Sequence, residues 1–152
     1  MFAEVPPVKG IPTWRCVVAV ALRRPDGRWL MARRPPHKHH GGLWEFPGGK
    51  VETDEVPVNA LVREVAEELG IAVSAADLTP AAFAESALDA DGGAIVILLY
   101  TATRWRGEPA ACEDGMTLGW FKESELTALA MPPLDVALCR ALTDGAGLDT
   151  AR

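Results

Sequence analysis

The chain has 152 residues, of which 49% are hydrophobic and 24% charged, so it can bury the core of one domain and is not a disordered, collagen-like or coiled-coil protein. Fifteen Lys and Arg residues against 21 Asp and Glu residues give a net charge of −6, which excludes the strongly basic proteins that bind nucleic acid or anionic membranes. A phosphate-bearing ligand would therefore need help from a cation.

The N-terminal third predicts an arm, two strands and a loop. Residues 1–12 hold three prolines and a glycine, a composition typical of a loose arm. Two β-rich apolar runs, 14–22 and 28–32, flank Pro25-Asp26-Gly27, and this pattern predicts a β-hairpin. The segment 34–47 is too rich in Pro, Gly and His for a regular element, and a loop of that length in a compact domain is usually functional.

The clearest helix is predicted from Pro57 to Gly70. Proline is favoured in a first turn and glycine at a helix end. At about 100° per residue, the apolar side chains of this segment form one stripe that should face the core. Glu64, Glu67 and Glu68 fall together on another side of the same helix.

The C-terminal half predicts three more strands, two helices and a tail. The strands cover 80–86, 94–104 and 118–121, the helices cover 122–130 and 134–142, and the frayed tail covers 144–152. This mixture of strands with two or three helices predicts an α/β protein, a single domain over 1–152 built as an α/β/α sandwich.

The cysteines and the N-terminus bear on location. Cys16, Cys112 and Cys139 are odd in number, widely spaced and without a CxxC pair, which suits a reducing compartment better than a disulfide framework. The N-terminal segment lacks the order of a signal peptide, and no apolar run reaches about 18 residues. We therefore expect a cytoplasmic protein with no membrane partner.

The three helix glutamates are the strongest chemical signal. At spacings i, i+3 and i+4, like charges destabilise a helix by roughly a few tenths of a kcal/mol per pair. A hard divalent cation would offset this repulsion, because Mg²⁺ prefers carboxylate and phosphate oxygens. An ordinary solvated acidic face is the alternative, and it is the commoner meaning of an isolated ExxEE pattern.

The residues around the glutamates resemble the Nudix box. Gly49, Glu55 and the segment Arg63-Glu64-Val65-Ala66-Glu67-Glu68-Leu69-Gly70-Ile71 match its glycine, its glutamate and its REUxEExGU helix at every fixed position, where U is aliphatic. The resemblance implies the Nudix α/β/α sandwich with a mixed β-sheet, dependence on Mg²⁺ or Mn²⁺, and hydrolysis of a nucleoside diphosphate linked to a further group.

The resemblance also implies a role for each motif residue. It makes the three helix glutamates catalytic metal ligands: Glu64, Glu67 and Glu68. Glu55 would be a supporting acid, and Arg63 would be an orienting catalytic residue that can reach Glu67 or Glu55. Gly48 and Gly49 would let the loop backbone approach substrate phosphates and metal closely, with Gly49 also at the metal.

Outside the box, the chain resembles the MutT-like nucleoside triphosphate pyrophosphohydrolases that clear oxidised guanine nucleotides. Arg33-Arg34, eight residues and then Leu43-Trp44-Glu45-Phe46-Pro47-Gly48-Gly49-Lys50 resemble that group's RR…LxEFPGGK segment. Glu45 and Phe46 would then lie in or beside the base pocket. Arg34 is placed to bind phosphate oxygens, because a guanidinium can hold two of them at once.

An additional acidic ligand is expected after a WxGEP-like turn. Trp105 followed by Gly107-Glu108-Pro109 resembles that turn. Counting forward from the turn selects Glu113, whereas counting back from Trp120 selects Asp114. We favour Glu113 as the catalytic metal ligand.

Three loop histidines allow two interpretations. His37, His39 and His40 could together bind zinc, but their HxHH spacing lacks the ordered strand or helix context of a structural zinc site. Loop histidines near an anion site more often contact phosphate or solvent. His39 occupies the position of a loop histidine in the MutT-like pattern, and it is predicted to touch the nucleotide.

Asp135 departs from the pattern that the chain resembles. After Pro132-Pro133 the guanine-sanitising enzymes carry an asparagine, whereas this chain has Leu134-Asp135. An ionised aspartate only accepts hydrogen bonds, so Asp135 would suit the donor edge of a guanine or a cytosine. The alternative is that Asp135 merely caps the last helix.

These observations predict a Mg²⁺-dependent pyrophosphohydrolase that converts a nucleoside or deoxynucleoside triphosphate to the monophosphate and pyrophosphate. The expected base is oxidised guanine or cytosine, and the expected role is sanitation of the nucleotide pool. A Nudix hydrolase of a dinucleotide or nucleotide sugar is one alternative. A nucleotide-binding module without turnover is the other. Nucleic acid is not an expected partner, and the oligomeric state stays open.

Overall fold

The computed structural model describes residues 13–90 and 92–149, with the side chains of 145–149 left out of the description. The strands in these residues are β1 (Thr13–Leu22), β2 (Trp29–Arg33), β3 (Trp44–Glu45), β4 (Gly48–Lys50), β5 (Thr79–Glu85), β6 (Gly93–Ala102) and β7 (Thr117–Phe121). The helices are α1 (Pro57–Leu69), α2 (Glu123–Leu126) and α3 (Pro133–Asp149), with a 3₁₀ turn at Ala75–Asp77. The predicted arm over 1–12 and the last residues of the predicted tail lie outside this description.

The larger sheet is mixed, as predicted. Its strand order is β4-β1-β6-β5, with β1 parallel to β6 and the other neighbours antiparallel. β1 is buried from Ala19 to Leu22 as well as at Val18, which suits a strand covered on both faces. Because β1 and β4 pair Val18 with Gly49, the loop glycines lie against the middle of the sheet.

The predicted hairpin between the first two strands is wrong. β2 instead pairs with β3 and β7 in a second sheet of order β3-β2-β7, and an isolated bridge joins Arg23 to Trp29. β4 and β6 already occupy the two edges of β1, so β1 has no free row of backbone groups for β2. The Pro25–Gly27 turn therefore carries the chain from one sheet to the other.

The helix predicted from Pro57 to Gly70 is confirmed. Gly70 ends it in the left-handed conformation, with φ of 66°, and its N–H donates to the Ala66 carbonyl. Glycine adopts this backbone conformation without the steric cost that a side chain would meet. The predicted apolar stripe is buried at Leu61, Val65 and Leu69, together with Ala60.

The last two helices differ from their predicted bounds. α2 is one turn, because the bonds that follow it, Ala128 N–H to Glu125 and Leu129 N–H to Leu126, are turns of the i to i+3 type. α3 begins at Pro133 and continues to Asp149, past the predicted end at 142 and into the predicted tail. Glycines in that tail argue against a helix, but Leu138 and Leu142 anchor it by burial.

The two faces of the larger sheet bury separate hydrophobic clusters. α1 packs Leu61 and Val65 with Val18 and Val20 on one face. α3 packs Leu138 with Ala84 and Leu99 on the other. The chain is thus an α/β/α sandwich, as predicted, and one end of α1 meets the β4 loop beside the sheet. Across the described residues, no helix combines the length and apolar character needed to cross a membrane.

Candidate active site

Arg63 joins the acidic side chain of Glu55, which precedes α1, to the helix. Its Nε and Nη2 each donate to the Glu55 carboxylate at 2.9 Å, and Nη2 also donates to the Lys50 carbonyl at 3.1 Å. This two-point contact lowers the pKa of Glu55 to about 2, and a hydrogen bond from the Glu52 N–H is the second cause of the shift. Arg63 therefore ties the loop to the helix through a permanently ionised Glu55.

The same guanidinium holds two of the predicted metal ligands. Arg63 Nη1 donates to Glu64 Oε1 at 3.0 Å and to Glu67 Oε2 at 3.3 Å. The Glu64 side chain is 15% exposed and the Glu67 side chain is 59% exposed. The sequence predicted that Arg63 can reach Glu67 or Glu55; it contacts both, and it contacts Glu64 as well.

Gly48 and Gly49 allow the loop to lie against both the sheet and α1. A Cβ added at Gly48 would overlap the Val18 carbonyl, and one added at Gly49 would overlap the Glu64 carboxylate. The overlap at Gly48 is with backbone and cannot be relieved by a side-chain movement, whereas the overlap at Gly49 is with the end of the Glu64 side chain. Glycine at 48 therefore lets the loop lie against the sheet, and glycine at 49 leaves the carboxylate of a predicted metal ligand undisplaced.

Glu68 projects into a cavity of about 300 Å³ between the loop, α3 and the sheet. The predicted site residues that line this cavity are Arg34, Glu45, Phe46, Gly48, Gly49, Glu68, Glu113 and Asp135. Burial raises the pKa of Glu68 to about 7, and the charges of Glu64, Glu45 and Glu113 add to that rise. Four carboxylates from three parts of the chain therefore act on one another here.

Position in the structure favours one of the two candidate acids after the WxGEP-like turn. Glu113 lines the cavity and forms an ion pair with Lys38, whereas Asp114 is exposed. Glu113 also acts electrostatically on Glu68 and Glu45. A role as the additional ligand stays a prediction, and its position supports Glu113 over Asp114.

These residues fit a hard cation by their chemistry. Every candidate side-chain donor is a carboxylate oxygen, which Mg²⁺ and Mn²⁺ prefer. The pKa of Glu68 is raised first by burial and then by neighbouring carboxylates, whose negative charge a cation would neutralise. Within 13–90 and 92–149, no three carboxylate, imidazole or thiol side chains stand close enough to hold one ion as they are. Arg63 instead forms ion pairs with Glu64 and Glu67.

A second group of residues in the same cavity forms hydrogen bonds of its own. Arg34 Nη1 donates to Glu45 Oε2 at 3.1 Å, while Arg34 Nε is buried and makes no hydrogen bond with any described residue. The Phe46 N–H donates to Asp135 Oδ1 at 3.1 Å. Asp135 is 6% exposed, and burial raises its pKa to about 7. Asp135 thus lines the cavity and fixes the Phe46 backbone, in addition to lying in the first turn of α3.

The raised pKa of Asp135 predicts a pH-dependent stability. The pKa of Asp135 is about 7 in the folded protein, against an ordinary value of 3.8. Ionisation of Asp135 therefore lowers the free energy of unfolding as the pH rises between these two values, and causes no further loss above the higher one. Asp135→Asn keeps an acceptor for the Phe46 N–H and carries no charge. At pH 8 we expect the free energy of unfolding of the variant to be about 2 kcal/mol higher than that of wild type, and at pH 4 we expect little difference.

Urea denaturation at a series of pH values measures this difference. Asp144→Asn, an exposed aspartate on the same helix, is the matched control and should show no such trend. A gap that stays constant from pH 4 to 8 would mean that Asp135 is not held in an unfavourable ionised state.

The loop histidines do not reach the cavity. His37, His39 and His40 are exposed, and none of them lines the cavity described above. The rings of His39 and His40 contact each other, with centroids 3.9 Å apart. A contact between His39 and a nucleotide therefore stays a prediction and needs this turn of the loop to move inward.

Two residues of the loop have roles that the sequence did not assign. Trp44 packs edge-on against Phe121 at 4.9 Å between ring centroids, a contact that anchors the loop on β7. Lys38 lines the cavity and pairs with Glu113. The position of a single lysine between histidines in a loop carries no periodic signal, so sequence reasoning had no means of selecting it.

Comparisons with known proteins cover most of the chain. The NUDIX domain model matches residues 13–141. CTP pyrophosphohydrolase of Escherichia coli K12 is 36% identical over 125 residues, covering 82% of this chain and 88% of that protein. An 8-oxo-dGTP diphosphatase of Haemophilus influenzae is 31% identical over 126 residues, covering 83% and 89%.

Solved structures agree with this assignment. The solution structure of the E. coli ORF135 protein superposes with a TM-score of 0.78 at 33% identity, covering 96% of this chain and 97% of that one. The MutT NUDIX hydrolase of Burkholderia pseudomallei gives 0.69 at 34% identity, covering 86% and 97%. The carboxylate helix, the glycine loop and the sandwich are therefore features of one family: this chain belongs to the Nudix family and is a MutT-like Nudix hydrolase.

Proposed function

We propose that this protein is a Mg²⁺- or Mn²⁺-dependent pyrophosphohydrolase that converts a nucleoside or deoxynucleoside triphosphate to the monophosphate and pyrophosphate. The observation that carries the proposal is that one cavity is lined both by acidic residues of the predicted metal site and by residues of the predicted base pocket. Glu68 and Glu113 belong to the first group, and Phe46 and Asp135 belong to the second. Such a cavity suits a ligand with phosphates at one end and a base at the other.

The residues in and beside the cavity have separate functions in the proposal. Glu64, Glu67, Glu68 and Glu113 would hold the metal with help from the backbone of Gly49. Nudix hydrolases generally depend on divalent metals, and a bound divalent ion would neutralise phosphate charge and lower the pKa of a coordinated water. Arg63 holds Glu64 and Glu67 in place on α1. Arg34, whose Nε has no hydrogen-bond partner in the described residues, would donate to phosphate oxygens.

The base is proposed to be oxidised guanine or cytosine. The carboxylate of Asp135 only accepts hydrogen bonds when it is ionised, which its pKa of about 7 places above neutral pH, and it lies beside Phe46 and Glu45 in the cavity. An N1–H with a 2-amino group, or a 4-amino group, supplies donors to such an edge. The relatives are named for CTP and for 8-oxo-dGTP, and both of these bases carry donors of this kind.

The location and the physical state of the substrate complete the proposal. The net charge of −6 favours free nucleotides over a nucleic-acid chain, because a nucleic-acid backbone is normally held by basic surface. The free thiols Cys16, Cys112 and Cys139 suit the reducing cytoplasm. We therefore place the reaction in the cytoplasm, as sanitation of the nucleotide pool.

A nucleotide panel tests the function. Purified protein with Mg²⁺ is given the common and oxidised triphosphates, a dinucleotide and a nucleotide sugar, and monophosphate and pyrophosphate are quantified. We expect both products from 8-oxo-dGTP or from a cytosine triphosphate. Preferential cleavage of a dinucleotide or sugar derivative would contradict the proposed substrate class, and binding without any cleavage would contradict the proposed activity.

The base assignment has its own prediction. Asp135→Ala is expected to lower kcat/KM for the preferred triphosphate by about 1 to 3 kcal/mol of transition-state stabilisation, since a polar edge of the base is left unpaired. A poor substrate should change far less. Steady-state kinetics over the panel measure this, with Asp144→Ala as the control. If Asp135→Ala loses stability but ranks the nucleotides as wild type does, Asp135 only supports the helix and the Phe46 backbone.

A further inference from the structure

The cavity contains two lysines whose roles the proposed function leaves open, and one of them contacts a predicted metal ligand. Three basic residues line it: Arg34, Lys38 and Lys50. Arg34 is engaged by Glu45 at 3.1 Å. The Lys38 ammonium pairs with Glu113, the carboxylate favoured as the additional metal ligand. Lys38 thus stands where a metal ion would compete with it.

The backbone of Lys38 is fixed while its side chain is free to move. Its N–H donates to the Pro35 carbonyl at 3.2 Å, and its own carbonyl accepts from the Gly41 N–H at 2.8 Å. Pro35 is fully buried and anchors this turn. The Lys38 side chain is nevertheless 44% exposed, so the ammonium can change partner without moving the loop.

The ion pair is of a kind that exchanges readily. The Glu113 side chain is also 33% exposed, and ion pairs with this much solvent contribute little to stability. A divalent cation attracts a carboxylate more strongly than an ammonium does. Metal binding by Glu113 would therefore release Lys38 beside the cavity.

The released ammonium would meet the phosphates of the substrate. Burial raises the pKa of Glu45, and the charges of Arg34 and Lys38 oppose that rise, so the field of Lys38 already reaches across the cavity. A lysine is a compact charge with three donors on a long stem, which suits a phosphate group that shifts during the reaction.

We propose that Lys38 is a phosphate-positioning residue that exchanges Glu113 for the substrate's polyphosphate when metal binds. The inference rests on the proposed function, because it needs a triphosphate or pyrophosphate in this cavity. In the metal-free protein Lys38 serves as the counter-ion of Glu113. In the loaded protein it orients phosphate and takes no part in bond breaking.

Three variants of the full chain test the exchange. Lys38→Met removes the ammonium, Lys38→Arg keeps a cation, and Lys122→Met removes an exposed lysine that does not line the cavity and so controls for the change in net charge. Mn²⁺ binding to nucleotide-free protein is followed by electron paramagnetic resonance. Pyrophosphate binding with Mg²⁺ is followed by calorimetry, and KM and kcat are measured with the preferred triphosphate.

The expected pattern separates the two states of Lys38. In Lys38→Met we expect Mn²⁺ to bind about threefold more tightly or better, because its competitor for Glu113 is gone. Pyrophosphate binding should weaken and KM should rise, each by about tenfold, with kcat within about threefold of wild type. Lys38→Arg should recover most of the phosphate affinity, and Lys122→Met should match wild type.

Two results would overturn the exchange. Unchanged Mn²⁺ and pyrophosphate affinities in Lys38→Met would make the contact with Glu113 an ordinary surface ion pair. Tighter Mn²⁺ binding with unchanged pyrophosphate affinity would leave Lys38 as a competitor of the metal without a phosphate role. If no nucleotide of the panel is cleaved, the proposed function fails, and the two binding measurements still decide the role of Lys38 by themselves.

Discussion

Glu68→Gln is expected to lower kcat by about a hundredfold or more while the protein folds normally. The amide has the shape of the carboxyl group but lacks the charge that would hold a divalent cation. Glu68 lines the cavity, and its carboxylate accepts from the Gly48 N–H, an interaction that the Gln carbonyl oxygen can keep. Glu67→Gln, four residues from Arg63 on the same helix, should have a comparable effect on turnover.

Thermal unfolding separates lost chemistry from lost structure in these variants. Because burial and neighbouring carboxylates raise the pKa of Glu68 to about 7, removing the charge should leave the melting temperature unchanged or raise it. Glu85→Gln, on the exposed side of β5, is the matched control and should keep full activity. Activity within about threefold of wild type in Glu68→Gln, with unchanged melting, would remove this residue from the metal site.

Removal of metal is expected to abolish turnover altogether. The candidate ligands are oxygen atoms, so Mg²⁺ or Mn²⁺ should restore activity after EDTA, whereas Ca²⁺ should bind without supporting a comparable rate. Without the ion, the crowded carboxylates around Glu68 would repel the phosphates of a substrate. Steady-state turnover before chelation, after it and after each metal is added back measures the effect.

The identity of the rescuing ion also decides between two sets of ligands. Rescue by Zn²⁺ alone would point to His37, His39 and His40 instead of the glutamates. Turnover that persists in EDTA after exhaustive dialysis would contradict any metal-dependent mechanism. Circular dichroism of the chelated protein serves as the control, since the hydrophobic clusters beneath α1 and α3 should keep the fold intact.

Local sequence patterns determined the elements whose signals are themselves local. A proline at the start, a glycine at the end and a 3.6-residue apolar stripe sufficed for α1, because each acts within the helix or on the face beneath it. The mixed sandwich followed from the family resemblance and from the order of elements. Strand pairing was beyond such signals, since a turn after β1 is compatible with either a hairpin or a crossing to the second sheet.

The same limit applies to the far end of the chain. Glycines near residue 145 indicate a tail by propensity alone. The helix nevertheless continues to Asp149 from turns that Leu138 and Leu142 fix by burial against the sheet, since extending a formed helix is easier than starting one and glycine costs only about 1 kcal/mol.

For the site, the sequence by itself predicted which residues would carry the chemistry: Glu64, Glu67 and Glu68 by helical spacing, and Arg63 with Glu55 by motif position. Only the tertiary structure decided which of these face a common cavity. It brings Glu113 and Asp135 to the loop of Glu45 and leaves His39 outside. It also places Lys38 on Glu113. These contacts join residues as many as 89 positions apart, and such distances are set by packing between elements, to which spacing along the chain is blind.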